Sequence, residues 1–214
     1  MKIASFDVDP QKGFTPICPE ELPVIGGDEI ADDLNMIASL CDYRLGSKDA
    51  HPFDPIWLTS EDRPMLTPLD YPNADLTWNR HCVVGTKGFE FIDGLPKPEK
   101  YDFFVWKGQE IDLHPYGACY HDILEKLETG VFDFLRSRDV ETVVIGGLAF
   151  DFCVKTTAIQ LAKNGFNVII YKPSTRSISE TTEKLALEEL KHYNVVIVEN
   201  EEELKKYIAE AKGE

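Results

Sequence analysis

Short apolar, β-branched runs alternate along the chain with stretches whose apolar residues recur every three or four positions. A period of two suits a half-buried strand and a period near 3.6 an amphipathic helix, so the alternation predicts a parallel sheet wrapped by helices. Strands are expected over residues 3–9, 43–47 (weakly), 101–106, 140–145, 167–171 and 194–198. Residues 28–40 place Ile30, Leu34, Ile37 and Leu40 at helical spacing, and further helices are expected over 120–137, 152–164, 177–192 and 201–212. About six strands joined by right-handed crossovers make a doubly wound α/β fold with helices on both faces. At 214 residues the chain suits one domain, 1–214, with a core that needs no covalent staples.

Residues 52–100 break the rhythm. They are rich in Pro, Gly and Asp and show little periodicity. A connection of that length inside a compact domain is more often functional than idle, and it is expected to hold metal and substrate. There is no internal repeat and no low-complexity tract. Neither GxGxxG nor GxxxxGK[ST] occurs, so a nucleotide-phosphate loop has no support.

Composition narrows the partners. Hydrophobic residues make up 43% and charged residues 28% of the chain, a globular balance. A net charge of −16 argues against a nucleic-acid partner, because phosphate binding needs clustered Lys and Arg. No apolar run approaches the ~18–20 residues that span a bilayer, so no membrane partner is expected. Residues 1–7 reach Asp7 after four uncharged residues, too short a stretch for a secretory signal, which predicts a cytosolic protein. The five cysteines are odd in number, irregularly spaced and without a CxxC pair, so no disulfide framework is expected. The expected assembly is a homo-oligomer.

The reactive residues fall at predicted strand ends. Asp9 ends the first strand, Asp49 and His51 follow the second, Lys107 ends the third, and Cys153 follows the fourth. In parallel sheets the carboxyl ends share one rim, where ligands bind. Cys153 opens a helix after a glycine-bearing turn, where backbone N–H groups and the helix dipole are expected to lower its pKa and to hold an oxyanion. Asp9 is placed to take the thiol proton, with Lys107 steadying both anions; Asp7, two residues back on the same strand face, is the rival base. Asp49 and His51 stand at i and i+2 of an extended segment, and His81 could supply a third ligand. Two imidazoles and one carboxylate suit a divalent ion, Zn²⁺ foremost, with Fe²⁺ and Mn²⁺ as alternatives.

At these residues the sequence resembles the nicotinamidase branch of the isochorismatase-like cysteine hydrolases. The motifs run in the family's order: Asp9-x-Gln11-x-x-Phe14, Leu22-Pro23-Val24-x-Gly26-Gly27-Asp28-Glu29-Ile30, and Lys48-Asp49-x-His51-Pro52. Trp78-x-x-His81-Cys82-Val83-x-Gly85-Thr86-x-Gly88, Lys107-Gly108, and Gly147-Leu148-Ala149-x-Asp151-x-Cys153-Val154-Lys155 follow. The resemblance implies an isochorismatase-like hydrolase fold and a triad of Asp9, Lys107 and Cys153. It also implies one metal held by Asp49, His51 and His81, and a cis peptide between Leu148 and Ala149 that aims the N–H groups of Ala149 and Cys153 at the oxyanion. Phe14, Trp78 and Tyr116 match positions flanking the ring of a small aromatic carboxamide. The implied reaction hydrolyses nicotinamide to nicotinate and ammonia through a thioester, a step of NAD salvage. Another small carboxamide or a ureido acid is the alternative substrate.

Four departures bear on the pocket. Trp57 stands where some relatives carry a fourth histidine, Asn79 where proline is usual, Phe150 where a small polar residue is usual, and Cys119 where phenylalanine is usual. Phe150 and Cys119 are expected to reshape the pocket.

Overall fold

Alternation in the first strand sets both faces of the sheet. In the computed structural model, which describes residues 1–213, β1 spans Lys2–Val8. Ala4, Phe6 and Val8 enter one apolar cluster while Ile3 enters another on the opposite face, as the two-residue period of a strand requires. The chain continues through α1 (Ala31–Leu40), β2 (Tyr43–Asp49), the hairpin strands β3 (Pro68–Tyr71) and β4 (Ala74–Leu76), and β5 (Phe103–Lys107). Then come α2 (Val131–Ser137), β6 (Val140–Leu148), α3 (Lys155–Lys163), β7 (Asn167–Arg176), α4 (Glu180–Leu190), β8 (Val195–Val198) and α5 (Glu201–Lys212).

The main sheet has the order β5-β2-β1-β6-β7-β8, with every neighbouring pair parallel. Helices α2, α3 and α4 bury Phe132, Leu135, Ile159, Leu161 and Leu190 against one face. Helices α1 and α5 bury Ile37, Leu204 and Ile208 against the other. This is the doubly wound arrangement the periodicity predicts. The chain winds outward from β1 to β2 and β5, then returns to β6 and winds the other way. The loops leaving β1 and β6 therefore diverge, and a crevice opens between them at the carboxyl edge.

Several boundaries differ from expectation. The helix expected over 120–137 begins only at Val131. Asp122 Oδ1 takes the N–H groups of Lys126 and Leu127, at 2.9 and 2.8 Å, and Glu125 has φ 55°. A side chain that satisfies the backbone locally in this way competes with helix, and here it wins. Strand β6 runs three residues past its expected end because Gly146 and Gly147 let the backbone pass close to its neighbours: a Cβ at Gly147 would lie 1.9 Å from Val8 O. Strand β7 resumes beside β6 after an interruption, with Ile145 opposite Ile170 but Gly147 opposite Thr175.

The segment over 52–100 is not slack. Trp57, Ala74, Trp78, Cys82 and Ile92 form an apolar cluster with Phe14, Leu22, Ile30 and Leu148, fixing the segment over the crevice.

Candidate active site

Four neighbouring strands deliver the charged groups. Asp9 follows β1, Asp49 ends β2, Lys107 ends β5, and Cys153 lies in the turn after β6. These are adjacent in the order β5-β2-β1-β6, so the four residues meet at one rim. Lys107, fully buried, places Nζ 3.0 Å from Asp9 Oδ2 and 3.8 Å from Cys153 Sγ, and it donates to Asp49 Oδ1 and, at 3.3 Å, to Pro115 O. One oxygen each of Asp9 and Asp49 and the Cys153 sulfur lie within 4.8 Å of one another.

Local backbone chemistry explains the aim of each group. Asp9 has φ 45°, a left-handed conformation that Asp tolerates better than most residues, and this turns it out of the strand alternation. Ser47 Oγ donates to its Oδ1 at 2.7 Å. Gln11 grips Asp49 through both backbone groups, its Oε1 accepting from Asp49 N and its Nε2 donating to Asp49 O, each at 2.8 Å. That is the physical content of the Asp9-x-Gln11 spacing. The peptide between Leu148 and Ala149 is cis, and Ala149 and Cys153 both line the cleft. Asp151 ties the turn that carries Cys153 to α4, accepting the N–H of Ile178 at 3.1 Å and the Thr182 hydroxyl.

Electrostatics separate the two acids. Burial raises the Asp9 pKa to about 6, helped by Asp49 and opposed by Lys107 and Ser47. Burial pushes Asp49 the same way, but Lys107 and His51 together hold it well below the ordinary carboxylate range. Lys107 stays charged because Asp49 and Asp9 outweigh its burial. Cys153 corrects the expectation of a lowered pKa. Burial raises its thiol well above the usual range, opposed by Lys107 and helped by Asp49 and Asp9. The resting sulfur therefore holds its proton, next to a carboxylate poised near neutrality. The rival base is disposed of as well. Asp7 is taken up by Arg44, whose Nε and Nη2 lie 2.9 and 2.6 Å from its Oδ2, and by the Tyr101 hydroxyl at 2.8 Å.

Beside this group lies a cluster of imidazoles. Asp49 Oδ2 faces His51 Nε2 at 3.4 Å and His81 Nε2 at 3.8 Å. The other nitrogen of each ring points at a carbonyl, His51 Nδ1 at Gly108 O (3.1 Å) and His81 Nδ1 at Asn79 O (2.6 Å). Those bonds put the ring protons on Nδ1 and leave the Nε2 lone pairs converging, as in histidines that bind a metal while donating to a carbonyl. Burial lowers the His51 pKa, keeping the ring neutral, and its Nε2 is buried without a hydrogen-bond partner. Two imidazoles, a carboxylate and an unsatisfied nitrogen fit a divalent cation. Asp49, His51 and His81 are thus brought together as the spacing suggested. His114 joins them unforeseen: one nitrogen from each of His51, His81 and His114 lies within 4.8 Å of the others.

A narrow cleft opens beside the thiol, lined by Phe14, Trp78, Tyr116, Phe152, His114 and Cys153 among others. Phe14, Trp78 and Tyr116 all line it. Trp78 Nε1 donates to Tyr116 Oη at 3.2 Å, and Tyr116 in turn donates to Asp75 at 2.7 Å. Phe150 and Cys119 do not reshape it. Both are wholly buried in the cluster beneath α2, α3 and α4, with Lys172 Nζ 4.3 Å from the Phe150 ring and Cys119 N donating to Gln160. Trp57 walls the imidazoles, its ring 4.7 Å from that of His51.

Residues 51–202 match the isochorismatase domain. The nicotinamidase of Acinetobacter baylyi is 32% identical over 175 residues, which cover 80% of this chain and 79% of that relative. Among solved structures, the pyrazinamidase of Pyrococcus horikoshii in complex with zinc superposes with a TM-score of 0.74 at 27% identity, covering 94% of this chain and all of the other. Yeast nicotinamidase bound to the inhibitor nicotinaldehyde gives 0.79 at 26% identity, covering 92% of this chain and 100% of the other. Fold, strand-end chemistry and sequence converge, and the chain belongs to the isochorismatase family, in its nicotinamidase branch.

Proposed function

We propose that the protein hydrolyses nicotinamide to nicotinate and ammonia by way of a thioester on Cys153. The observation that carries this reading is the position of Lys107, in reach of Asp9, Asp49 and the Cys153 sulfur at the edge of an aromatic cleft. Asp9 takes the thiol proton as sulfur attacks the carboxamide carbon, so an unpaired thiolate never has to exist in the buried site. The Ala149 and Cys153 N–H groups receive the oxyanion. Asp9 returns the proton to the amide nitrogen, the C–N bond breaks and ammonia leaves. A water molecule, deprotonated by Asp9, then attacks the thioester carbon; the C–S bond breaks, nicotinate leaves and the thiol is restored.

Asp49, His51 and His81 would hold one divalent metal, Zn²⁺ foremost, which when bound supplies a Lewis-acidic anchor for the pyridine nitrogen. Phe14, Trp78 and Tyr116 flank the ring. The cytosol suits the enzyme, because its five cysteines are all free, and among the described residues no helix is long and apolar enough to cross a membrane. The product feeds NAD salvage. The test is ammonia release from nicotinamide by the wild type and by Cys153→Ala; the variant is expected to be inactive, and substantial residual turnover would reject the assignment.

A further inference from the structure

His114 has no role in the function set out above, yet it is the residue whose surroundings are hardest to explain without a ligand. It is 4% exposed, and neither ring nitrogen has a hydrogen-bond partner. Buried polar groups are paired in the great majority of cases, and leaving one bare is costly. An imidazole always presents one N–H and one lone pair when neutral, so this ring leaves both unused.

The ring is also held in place by the surrounding structure. Trp57 and Trp78 enclose it, with centroids 4.5 and 5.6 Å away. Trp57 Nε1 donates to the carbonyl of Leu113 at 2.9 Å, and the His114 backbone N–H donates to Asn73 O at 2.7 Å, fixing the residue from both sides. Trp57 itself has no lone pair to offer a cation. The next residue, Pro115, accepts from Lys107, so the same loop is tied to the catalytic group.

We propose that His114 is a fourth protein ligand of the divalent metal, completing a donor set of three imidazoles and the Asp49 carboxylate. The nitrogens of His51, His81 and His114 lie within 4.8 Å of one another. In a tetrahedral set two nitrogens each about 2.1 Å from the ion stand about 3.4 Å apart, so side-chain adjustments of roughly an ångström close the set. The inference rests on the metal-holding part of the proposed function, and the test separates the two.

Full-length protein stripped with chelator is titrated with Co²⁺, then with Zn²⁺ against a chromophoric competitor. The Co²⁺ form is examined by proton NMR for contact-shifted imidazole signals. Three sets of ring signals are expected from the wild type, a count that needs no variant. His114→Phe fills the space between the tryptophans without a donor. It is expected to show two sets, a changed visible Co²⁺ spectrum, and Zn²⁺ binding weakened by more than the ~10–100-fold lost with an outer-shell partner. His114→Gln, similar in reach, serves if the phenylalanine variant does not fold. Two ring sets in the wild type overturn the proposal, as does unchanged Zn²⁺ affinity in a folded variant, even if KM for nicotinamide rises because the ring also lines the cleft. If wild-type protein binds neither ion, the metal reading itself fails and takes this inference with it.

Discussion

The Ser47 hydroxyl donates a 2.7 Å hydrogen bond to Asp9 Oδ1, while Oδ2 of the same carboxylate faces Lys107 at 3.0 Å and accepts no well-aligned hydrogen bond. One oxygen is therefore anchored and the other is left to receive a proton. Burial holds this carboxyl at about 6, so it is ionised at neutral pH and protonates as the medium becomes mildly acidic. A protonated Asp9 cannot act as base. The expected kcat/KM profile falls as pH drops through about 6, an apparent value belonging to the coupled group rather than to Asp9 alone. Ser47→Ala removes a donor that favours the charged form, and a hydrogen bond to a charge is worth about 1.5–3 kcal/mol. With about 1.4 kcal/mol per unit, the acid limb should move upward by about one unit or more. An unmoved limb in the pH–rate profile of Ser47→Ala would remove Asp9 from the base role.

Asp7 and Asp9 share a strand face on paper but not in the folded chain, and the consequence can be measured. Asp9→Asn should lower kcat by about 10²–10⁴-fold, the usual worth of a positioned acid–base group. Asp7→Asn should leave kcat near the wild-type value. Arg44→Ala, which strands the buried Asp7 charge, should instead cost about 3–5 kcal/mol in denaturant unfolding. Steady-state kinetics and unfolding curves on the three variants check both halves.

The positions that meet at the rim were legible in the sequence because each sits at the end of a periodic run, and a parallel sheet brings such ends together whatever the loops do. What periodicity could not convey was geometry set by contacts distant along the chain. Asp9 departs from strand alternation through its own φ of 45°. The thiol pKa rises because burial and two carboxylates act on it together, a count that exists only in three dimensions. His114 sits in a loop without periodicity, and its place depends on a bond from Trp57 to Leu113 across 56 positions. The apolar spacing over 120–130 looked helical, yet Leu124 and Leu127 are exposed and Asp122 captures the backbone.

At Gly147 strand β6 passes close to the backbone of β1. The φ of Gly147 is 123°, and an added Cβ would lie 1.9 Å from Val8 O and 2.7 Å from Val8 N, both rigid backbone at the switch point. Gly147→Ala should destabilise the protein by roughly 4 kcal/mol or more. Gly165 is the control: its φ is 89° but nothing lies within 4 Å, so Gly165→Ala should cost only the left-handed backbone penalty, about 1–2 kcal/mol. Equal losses for the two in urea unfolding would show that conformation, not contact with β1, makes glycine necessary at 147.

Gly108 links the lysine to the imidazoles. It follows Lys107 directly, and its carbonyl faces His51 Nδ1 at 3.1 Å. A Cβ there would lie 2.6 Å from His51 Cε1 and 2.7 Å from Nδ1, and its φ of 71° already disfavours other residues. Gly108→Ala must therefore push the His51 ring away from the carbonyl that fixes its tautomer. Loss of such a partner typically weakens metal binding by about 10–100-fold. The expected result is Zn²⁺ affinity reduced in that range, measured by chelator competition, with a backbone penalty of only about 1–2 kcal/mol in unfolding. A variant that lost stability while keeping its Zn²⁺ affinity would mean that the His51 ring is not where the ion is held.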